Sequence, residues 1–264
     1  MNSLLSILCF NLIAILVLML CAWVFSLARR DASVADIFWG LGFVLVAWLT
    51  FARAQGYFGR KLLLVLLTTI WGLRLAIHIL RRNRGKGEDP RYRAMRAQHG
   101  RAFWWVSLFK VFGLQSILLW FISLVVQVGQ LEPLPDRLTW VDGFGTVIWA
   151  VGFGFEAISD RQLVRFKADS SSQGQVMDRG LWAYSRHPNY FGESLLWWGM
   201  YVIGLATPGS AWTVISPLLI TYLLLKVSGV TLLEKTIVET RPAYRDYMER
   251  TSAFIPWLPR REKR

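Results

Sequence analysis

Residues 180–193 read GLWAYSRHPNYFGE and join a polar, basic loop to a long apolar segment. Pro188 suits the first position of a helix, where a missing backbone N–H costs nothing. Asn189 and Glu193 then lie on one face of the first turns. A helix N-terminus offers free N–H groups and the positive end of a dipole, and Arg186 stands beside it, so the stretch predicts an anion-binding site at a membrane surface. The alternative is an ordinary transmembrane helix with good caps and interfacial aromatic residues.

The composition indicates a membrane protein with several spans. The chain has 264 residues, of which 54% are hydrophobic and 14 are tryptophan. Several runs reach the roughly 20 apolar residues that cross a bilayer. We therefore predict an all-α fold, a single polytopic domain over residues 1–264 with seven transmembrane helices. The predicted spans are 3–27, 34–51, 62–80, 104–128, 141–158, 188–206 and 211–230.

The formal net charge of +13 is interpreted first as membrane topology and not as nucleic-acid binding. Seven spans place a predicted basic loop at 81–101, a predicted polar loop at 160–187 and the basic C-terminal tail on one side. Because basic loops stay inside, that side is predicted to be cytoplasmic, and the N-terminus lies outside. We expect an integral protein of a bacterial inner membrane, with membrane lipids as partners. The sequence leaves the oligomeric state open.

Cysteine and histidine usage argues against disulfides and metals. Cys9 and Cys21 lie in the first apolar run and point in different directions on a helix, so a disulfide is not expected. His78, His99 and His187 show no ligand spacing, and no metal site is predicted.

The segment 156–193 carries the densest polar chemistry of the chain. A reduced dinucleotide phosphate is an anion with aromatic rings and ribose hydroxyls. Arg and Lys suit its phosphates, Asp and Asn suit its ribose or nicotinamide, and Trp182 and Tyr190 can cover its rings. No G-x-G-x-x-G follows a predicted strand, so a Rossmann domain is not expected. Alternatively, the segment is a solvated loop whose cations, Arg161 and Arg165 among them, fix the topology.

The stretch at 180–193 resembles the signature of the steroid 5-alpha-reductase C-terminal superfamily, which includes sterol reductases. The matching elements are Leu181-Trp182, Ser185-Arg186-His187-Pro188-Asn189-Tyr190 and Gly192-Glu193. The resemblance runs from Glu156 to Trp257, is weak over the first part of the chain, and is closest to uncharacterised bacterial members of the reductase branch. It implies that residues 150–264 form an NADPH-binding half. The residues implied to line the cofactor cavity are Asp160, Lys167, Arg179, Ser185, Arg186, Asn189 and Glu193, with Trp182, His187 and Tyr190 as further contacts.

The C-terminal tail supplies a second part of the implied cofactor site. Glu234, Tyr244, Tyr247 and the run 254–256 match the E…Y-x-x-Y…I-P pattern of the superfamily. The resemblance implies that Glu234 and the two tyrosines fold under the membrane domain and contact the cofactor. Tyr244 and Tyr247 lie on one face if the tail is helical. The alternative is an interfacial amphipathic helix with snorkelling arginines.

A third group lies in the apolar part of the chain. Asp36 sits just inside the predicted cytoplasmic start of the second span, and Arg74 lies at a similar depth in the third. Intramembrane charges usually face a cavity or a partner, so we expect the two to lie near each other and line a substrate cavity. The alternatives are a Ser33–Asp36 capping box and snorkelling of Arg74. In the steroid reductases an acidic residue and an aromatic hydroxyl polarise the substrate carbonyl. The resemblance gives Asp36 the acidic role and places Trp71 where the tyrosine is expected.

These observations predict a membrane-embedded, NADPH-dependent reductase of a carbon–carbon double bond in a lipophilic substrate, steroid-like or isoprenoid-like, that enters from the bilayer. Asp36 would polarise a conjugated carbonyl or supply the proton. One alternative is an S-adenosylmethionine-dependent methyltransferase of lipid or isoprenylcysteine type, which shares the Arg-His-Pro-x-Tyr element at 186–190 and Glu234. Asn189 favours reduction. The other alternative is a non-enzymatic lipid-binding protein with the same fold.

Overall fold

The computed structural model describes residues 3–227, Val230, Glu234, Ile237 and residues 244–260. Within these ranges the regular elements are all helical. Five helical segments are long and apolar enough to cross a membrane: Leu4–Arg29, Val34–Arg53, Phe58–Asn83, Pro90–Ile122 and Trp140–Ala168, of which Pro90–Ile122 is a run of several successive helices. The all-α fold and the membrane-spanning character are therefore confirmed, while the count of seven spans and the orientation stay predictions.

The described helices follow one another along the chain with two π-helical stretches between them. The first helices are α1 (Leu4–Arg29), α2 (Val34–Arg53), α3 (Phe58–Asn83), α4 (Pro90–His99), α5 (Phe103–Ser107), α6 (Leu114–Ile122) and α7 (Leu124–Val128). They are followed by α8 (Trp140–Ala168), α9 (Pro188–Leu205), α10 (Ile215–Tyr222) and α11 (Tyr244–Arg250). The π-helical stretches are Leu108–Gly113 and Leu223–Val227.

Helix α4 lies where the sequence analysis places part of a basic loop, so the loop prediction is wrong for these residues. Asp89 caps the helix because its side chain accepts the N–H of Arg91, and Pro90 occupies the first turn. Because this segment contains many arginines, a prediction based on apolar runs does not find the helix. Helix α8 likewise continues past the predicted span end at 158, to Ala168.

The chain divides into two compact units. One comprises Met1–Asp142 and Ile203–Thr213, and the other comprises Gly143–Val202 and Val214–Arg264. The second unit contains most of the half that the sequence analysis assigns to the cofactor, residues 150–264. The description of the chain as a single domain stays a prediction.

Helices α2 and α3 cross in the first unit at two glycines. A Cβ atom on Gly40 would lie 2.6 Å from the carbonyl oxygen of Gly72, and a Cβ on Gly72 would lie 2.7 Å from that of Gly40. Only residues without a side chain allow two helix backbones to approach this closely. The crossing fixes the neighbouring turns, which carry Asp36 on α2 and Trp71 and Arg74 on α3.

Buried polar contacts join other helices of the first unit. Asn11 of α1 donates from Nδ2 to Thr50 Oγ1 (2.8 Å) on α2 and to Gln127 Oε1 (2.9 Å) on α7. Arg60 of α3 makes a two-pronged ion pair with Asp142, at 2.7 and 3.0 Å, and both side chains are fully buried. Removing one partner of such a pair costs about 3 kcal/mol or more, so these contacts stabilise the arrangement of the helices.

Helices α8 and α9 cross in the second unit through three further glycines. A Cβ on Gly152 would lie 2.7 Å from the carbonyl oxygen of Gly192, one on Gly192 would lie 2.4 Å from the N of Glu156, and one on Gly199 would lie 2.5 Å from the N of Trp149. Later residues of α8 meet earlier residues of α9, so the two helices run antiparallel. The polar C-terminal end of α8 therefore meets the start of α9.

Candidate functional site

Helix α9 begins at Pro188, as the sequence predicts. The turn before it is stabilised by the fully buried Ser185. The Ser185 hydroxyl accepts the backbone N–H of His187 (3.1 Å) and donates to the carbonyl of Phe254 (2.7 Å). The same side chain therefore shapes the entry to α9 and ties it to the C-terminal segment.

The contact between α8 and α9 contains a polar pair with unused hydrogen-bonding capacity. Asn189 donates from Nδ2 to Oδ1 of Asp160 at 3.2 Å. Asp160 is 7% exposed, and the Oδ1 atom of Asn189 is buried without a hydrogen-bond partner among the described residues. Leaving such an oxygen unpaired costs about 1–3 kcal/mol, so the position favours an N–H or O–H donor from a ligand.

Arg186 is committed to contacts within the chain. Its Nε and Nη2 donate to the two carboxylate oxygens of Glu234 (2.7 and 3.2 Å), and Nη1 donates to the carbonyls of Met248 and Thr251 (both 2.8 Å). Its backbone N–H donates to the carbonyl of Ser252 (2.8 Å). These contacts use most of the guanidinium N–H groups. Arg186 therefore fits the role of a tether better than the predicted role of a phosphate ligand.

Glu234 is the acidic centre of this tether. One of its carboxylate oxygens also lies 3.0 Å from Nε2 of His187, whose ring stacks on that of Tyr190 with 5.5 Å between centroids. Burial by itself would raise the pKa of Glu234, but the hydrogen bonds from His187 and Arg186 outweigh burial and hold the pKa below its ordinary value. The carboxylate is therefore ionised at neutral pH, in the form that binds Arg186.

The two tail tyrosines lie buried on one side of α11, with ring centroids 5.4 Å apart, which confirms that they share a face. The Tyr247 hydroxyl donates to the carbonyl of Trp182 and lies 3.3 Å from that of Ser185. Burial raises the pKa of Tyr244 and Tyr247, so both hydroxyls keep their protons at neutral pH. The tail thus packs against residues 180–193, which we call the signature stretch, while its contact with a cofactor stays a prediction.

The remaining predicted residues of the second unit differ in exposure. Trp182 is buried, and its indole N–H donates to the carbonyl of Ser159 (3.1 Å), which anchors the signature to α8. Lys167, near the end of α8, and Arg179, just before the signature, are exposed. Glu193 is half-buried in the first turns of α9. The two exposed cations can meet an anion that arrives from solvent.

Asp36 lies at the centre of a polar network in the first unit. Its Oδ2 accepts from Arg91 (2.7 Å), and its Oδ1 accepts from the hydroxyl of Tyr92 (2.6 Å) and from Nε2 of Gln115 (3.4 Å). Asp36 and Tyr92 are both buried. The capping-box alternative is wrong, because Ser33 makes no side-chain cap bond and its hydroxyl accepts an N–H from the loop before α4.

Tyr92 and Gln115 are site residues that the sequence analysis misses. Their contacts with Asp36 join residues 56 and 79 positions apart, and such pairings leave no local pattern. Gln115 follows closely on the π-helical stretch Leu108–Gly113, a geometry that is frequent at functional sites. The Oε1 atom of Gln115 is buried and has no hydrogen-bond partner within the described ranges. The one available signal was an aromatic residue in an otherwise polar and basic segment.

The other two predicted catalytic residues lie beside the α2–α3 crossing. Trp71 is fully buried and packs edge-on against Phe43, with 5.4 Å between ring centroids. Arg74 is half-buried one turn away. In the part of the chain that the structure describes, the polar contacts of Asp36 go to α4 and α6 and not to Arg74. The aromatic hydroxyl beside Asp36 is that of Tyr92, and the catalytic role of Trp71 stays a prediction.

Both clusters lie within the part of the chain that matches a known family. A family model described as "Protein of unknown function (DUF1295)" matches residues 22–251. A similar sequence is "Uncharacterized protein C594.04c" of Schizosaccharomyces pombe (strain 972), which is 26% identical over 252 residues, covering 86% of this chain and 69% of that protein. No solved structure matches. The chain therefore belongs to DUF1295, a membrane protein family related to steroid 5-alpha-reductase-like proteins.

Proposed function

We propose that the protein is a membrane-embedded reductase that uses NADPH to reduce a carbon–carbon double bond in a lipophilic, steroid-like or isoprenoid-like substrate. The observation that carries the proposal is the Asp160–Asn189 pair, in which a buried amide oxygen lacks a donor among the described residues. The resemblance of residues 180–193 to the reductase signature supports it. We further propose that this site faces the cytoplasm of a bacterial inner membrane.

The residues around the pair suit different parts of a dinucleotide phosphate. Oδ1 of Asn189 can accept an N–H of the nicotinamide carboxamide, and Asp160 can accept a ribose hydroxyl. The exposed cations Lys167 and Arg179 suit the phosphates. Arg186 holds the tail against the start of α9 and thereby keeps Asn189 in position. NADPH held by these residues would supply a hydride for one carbon of the double bond.

Hydride addition to a conjugated enone would leave an enolate, and we assign the delivery of a proton to its oxygen to the Asp36–Tyr92 pair. The resulting enol would then tautomerise, which moves a proton to the second carbon. The Tyr92 hydroxyl lies 2.6 Å from the Asp36 carboxylate, and Gln115 donates to the same hydroxyl oxygen at 3.3 Å. A phenol held in this way can turn its O–H to a carbonyl conjugated with the double bond, and the carboxylate beside it orients the hydroxyl. Arg91 completes the contacts of that carboxylate. Tyr92, not Trp71, is therefore the aromatic partner of Asp36 in the proposed reaction.

Cofactor binding to the purified full chain in detergent tests the proposal. We would compare NADPH, NADH and S-adenosylmethionine by calorimetry and thermal shift, using the wild type, Asn189→Ala and a matched control, Gln173→Ala. Gln173 is an exposed carboxamide in the loop that leads to the signature. We expect NADPH to bind, and Asn189→Ala to weaken it by about tenfold or more, because one hydrogen bond in a buried site is lost. Gln173→Ala should bind like the wild type.

Three other outcomes would overturn the proposal or the site that carries it. Binding of S-adenosylmethionine alone would replace hydride transfer with methyl transfer. Absence of binding by all three compounds would favour a non-enzymatic lipid-binding protein. Equal losses of NADPH affinity in Asn189→Ala and Gln173→Ala would show that the Asp160–Asn189 pair does not bind the cofactor.

A further inference from the structure

The segment from the last turn of α3 to the start of α5 carries a large excess of positive charge. Residues 81–101 contain eight basic and two acidic side chains; the basic ones are Arg81, Arg82, Arg84, Lys86, Arg91, Arg93, Arg96 and Arg101. The two acidic side chains are Glu88 and Asp89. An excess of this size creates a positive surface potential that attracts anions wherever internal partners do not neutralise it.

The two acidic side chains are already occupied inside the segment. Both carboxylate oxygens of Glu88 accept from Arg96, at 2.7 and 2.9 Å, and one also accepts the backbone N–H of Ala32. Asp89 accepts from Arg91 at 2.9 Å. Partial burial would raise the pKa of Glu88 and Asp89, but these hydrogen bonds outweigh burial and lower both pKa values. Neither carboxylate is therefore left to neutralise the other cations.

Four exposed cations of the segment are left over. Within the described ranges, no ion pair and no side-chain hydrogen bond is made by Arg81, Arg84, Lys86 or Arg101. We call these four residues the basic collar. The contacts of Glu88 with Ala32 and of the Asp89 N–H with the Ser33 hydroxyl (2.7 Å) hold the segment against the start of α2. The collar is therefore presented on an anchored segment.

Exposed apolar side chains border the collar on both sides. Before Arg81, the α3 residues Ile77 and Leu80 are 46% and 55% exposed. After Arg101, Trp104 and Trp105 are 56% and 47% exposed, and Phe109 is 65% exposed. Tryptophans at such a boundary mark the level of the lipid headgroups, and apolar side chains beyond it face the acyl chains. The change from apolar to basic surface on two separate helices puts the collar at the headgroup level.

We propose that the basic collar is a binding site for the phosphate groups of anionic phospholipids. The charge is complementary, the cations have no competing acids in the segment, and the flanking tryptophans place them at the depth of the headgroups. Clusters of unpaired Lys and Arg next to a membrane span bind anionic lipids with about 1 kcal/mol per cation. This inference concerns a surface of the first unit and does not rest on the proposed reaction.

Thermal unfolding in lipid nanodiscs tests the collar. The full chain would be reconstituted in phosphatidylcholine alone and in phosphatidylcholine mixed with phosphatidylglycerol. We expect a higher Tm in the anionic lipid than in phosphatidylcholine alone, and this excess in Tm should shrink as salt is added. The variant Arg84→Gln with Arg101→Gln should lose about half of the excess, because it removes two of the four cations. The matched control, Arg161→Gln with Arg165→Gln, removes the same charge from exposed positions on α8 and should keep the excess.

Three results would overturn the proposal. A Tm that is the same in both lipids would show that the basic collar does not bind anionic phospholipids. Equal losses in the two double variants would indicate a general effect of net charge. An equal stabilisation of the detergent-solubilised protein by inorganic phosphate would show that the site recognises a free anion and not a lipid surface.

Discussion

Arg186 and Glu234 join the start of α9 to the tail through an ion pair in which both side chains are nearly buried, at 10% and 12% exposure. Local sequence predicts the helix start, because Pro188 acts within its own turn. It does not predict the tether, because the partners of Arg186 are far along the chain. Its residue type alone suggests that Arg186 binds phosphate. The structure shows that its guanidinium already binds partners within the chain.

Glu234→Gln should destabilise the protein. Loss of the carboxylate leaves Arg186 with an uncompensated charge, which costs about 3 kcal/mol and lowers Tm at neutral pH by about 6 °C. Because the folded-state pKa of Glu234 is lowered, its contribution is fully present above the unfolded pKa of about 4.3 and is lost as pH falls through the folded pKa. The variant should therefore lose less stability than the wild type on acidification. Thermal unfolding against pH measures this, and Glu249→Gln, an exposed change in α11, is the control. Equal curves for wild type and Glu234→Gln would contradict the tether.

Tyr92→Phe tests the proton-delivering pair. The change removes the hydroxyl next to Asp36 but keeps the ring in its buried position. We expect turnover of a lipophilic enone to fall about 100-fold, the usual contribution of a positioned acid, with NADPH affinity unchanged. Oxidation of NADPH followed by absorbance gives both values. Tyr222→Phe, at a 57% exposed position, is the control. An unchanged rate in Tyr92→Phe would exclude the hydroxyl from the reaction.

Two pairs of helices approach each other closely at glycines. Gly40 and Gly72 do this for α2 and α3, and Gly152 and Gly192 do it for α8 and α9. The apolar runs reveal most of these helices in the sequence, because each run is a local signal. The crossings cannot be read in this way, since a glycine becomes a contact point only when its partner helix is known. Apolar runs do not reveal helix α4, because its basic composition is typical of a loop.

Gly72→Ala should disturb the α2–α3 crossing. The new methyl group would lie 2.7 Å from a backbone oxygen, and such overpacking costs about 1–3 kcal/mol. Gly154→Ala is the matched control on α8, since a Cβ there has nothing within 4 Å and alanine favours a helix by about 0.5–1 kcal/mol. Thermal unfolding should rank the proteins Gly154→Ala, wild type, Gly72→Ala from most to least stable. A Gly72→Ala protein as stable as the wild type would show that the helices can separate at no cost.

At the scale of the whole molecule, the prediction from charge concerns which surface meets the cytoplasm. The rule of basic loops depends on the distribution of Lys and Arg along the chain, so the sequence suffices to state an orientation. The number of spans is harder to read, because α9 and the segment Ala211–Val227 are shorter or less apolar than the five candidate spans.

Labelling of single cysteines tests the orientation. In a background with Cys9→Ser and Cys21→Ser, the variants Asp136→Cys and Gln173→Cys place a thiol at an exposed position on either side of α8. In intact cells, an impermeant maleimide should label Asp136→Cys, and Gln173→Cys should react only after the inner membrane is opened. The reverse pattern would invert the assignment, and labelling of both in intact cells would mean that α8 does not cross the membrane.

The tether at Arg186 also has a consequence for biosynthesis. Its side-chain partners Glu234, Met248 and Thr251 follow 48, 62 and 65 residues later, so the ribosome finishes the signature well before it makes them. A nascent chain therefore carries an unmatched guanidinium at the start of α9 until these three residues have been made. A stop codon placed before codon 234 should leave that arginine permanently unmatched, and the truncated product should be cleared by proteolytic quality control.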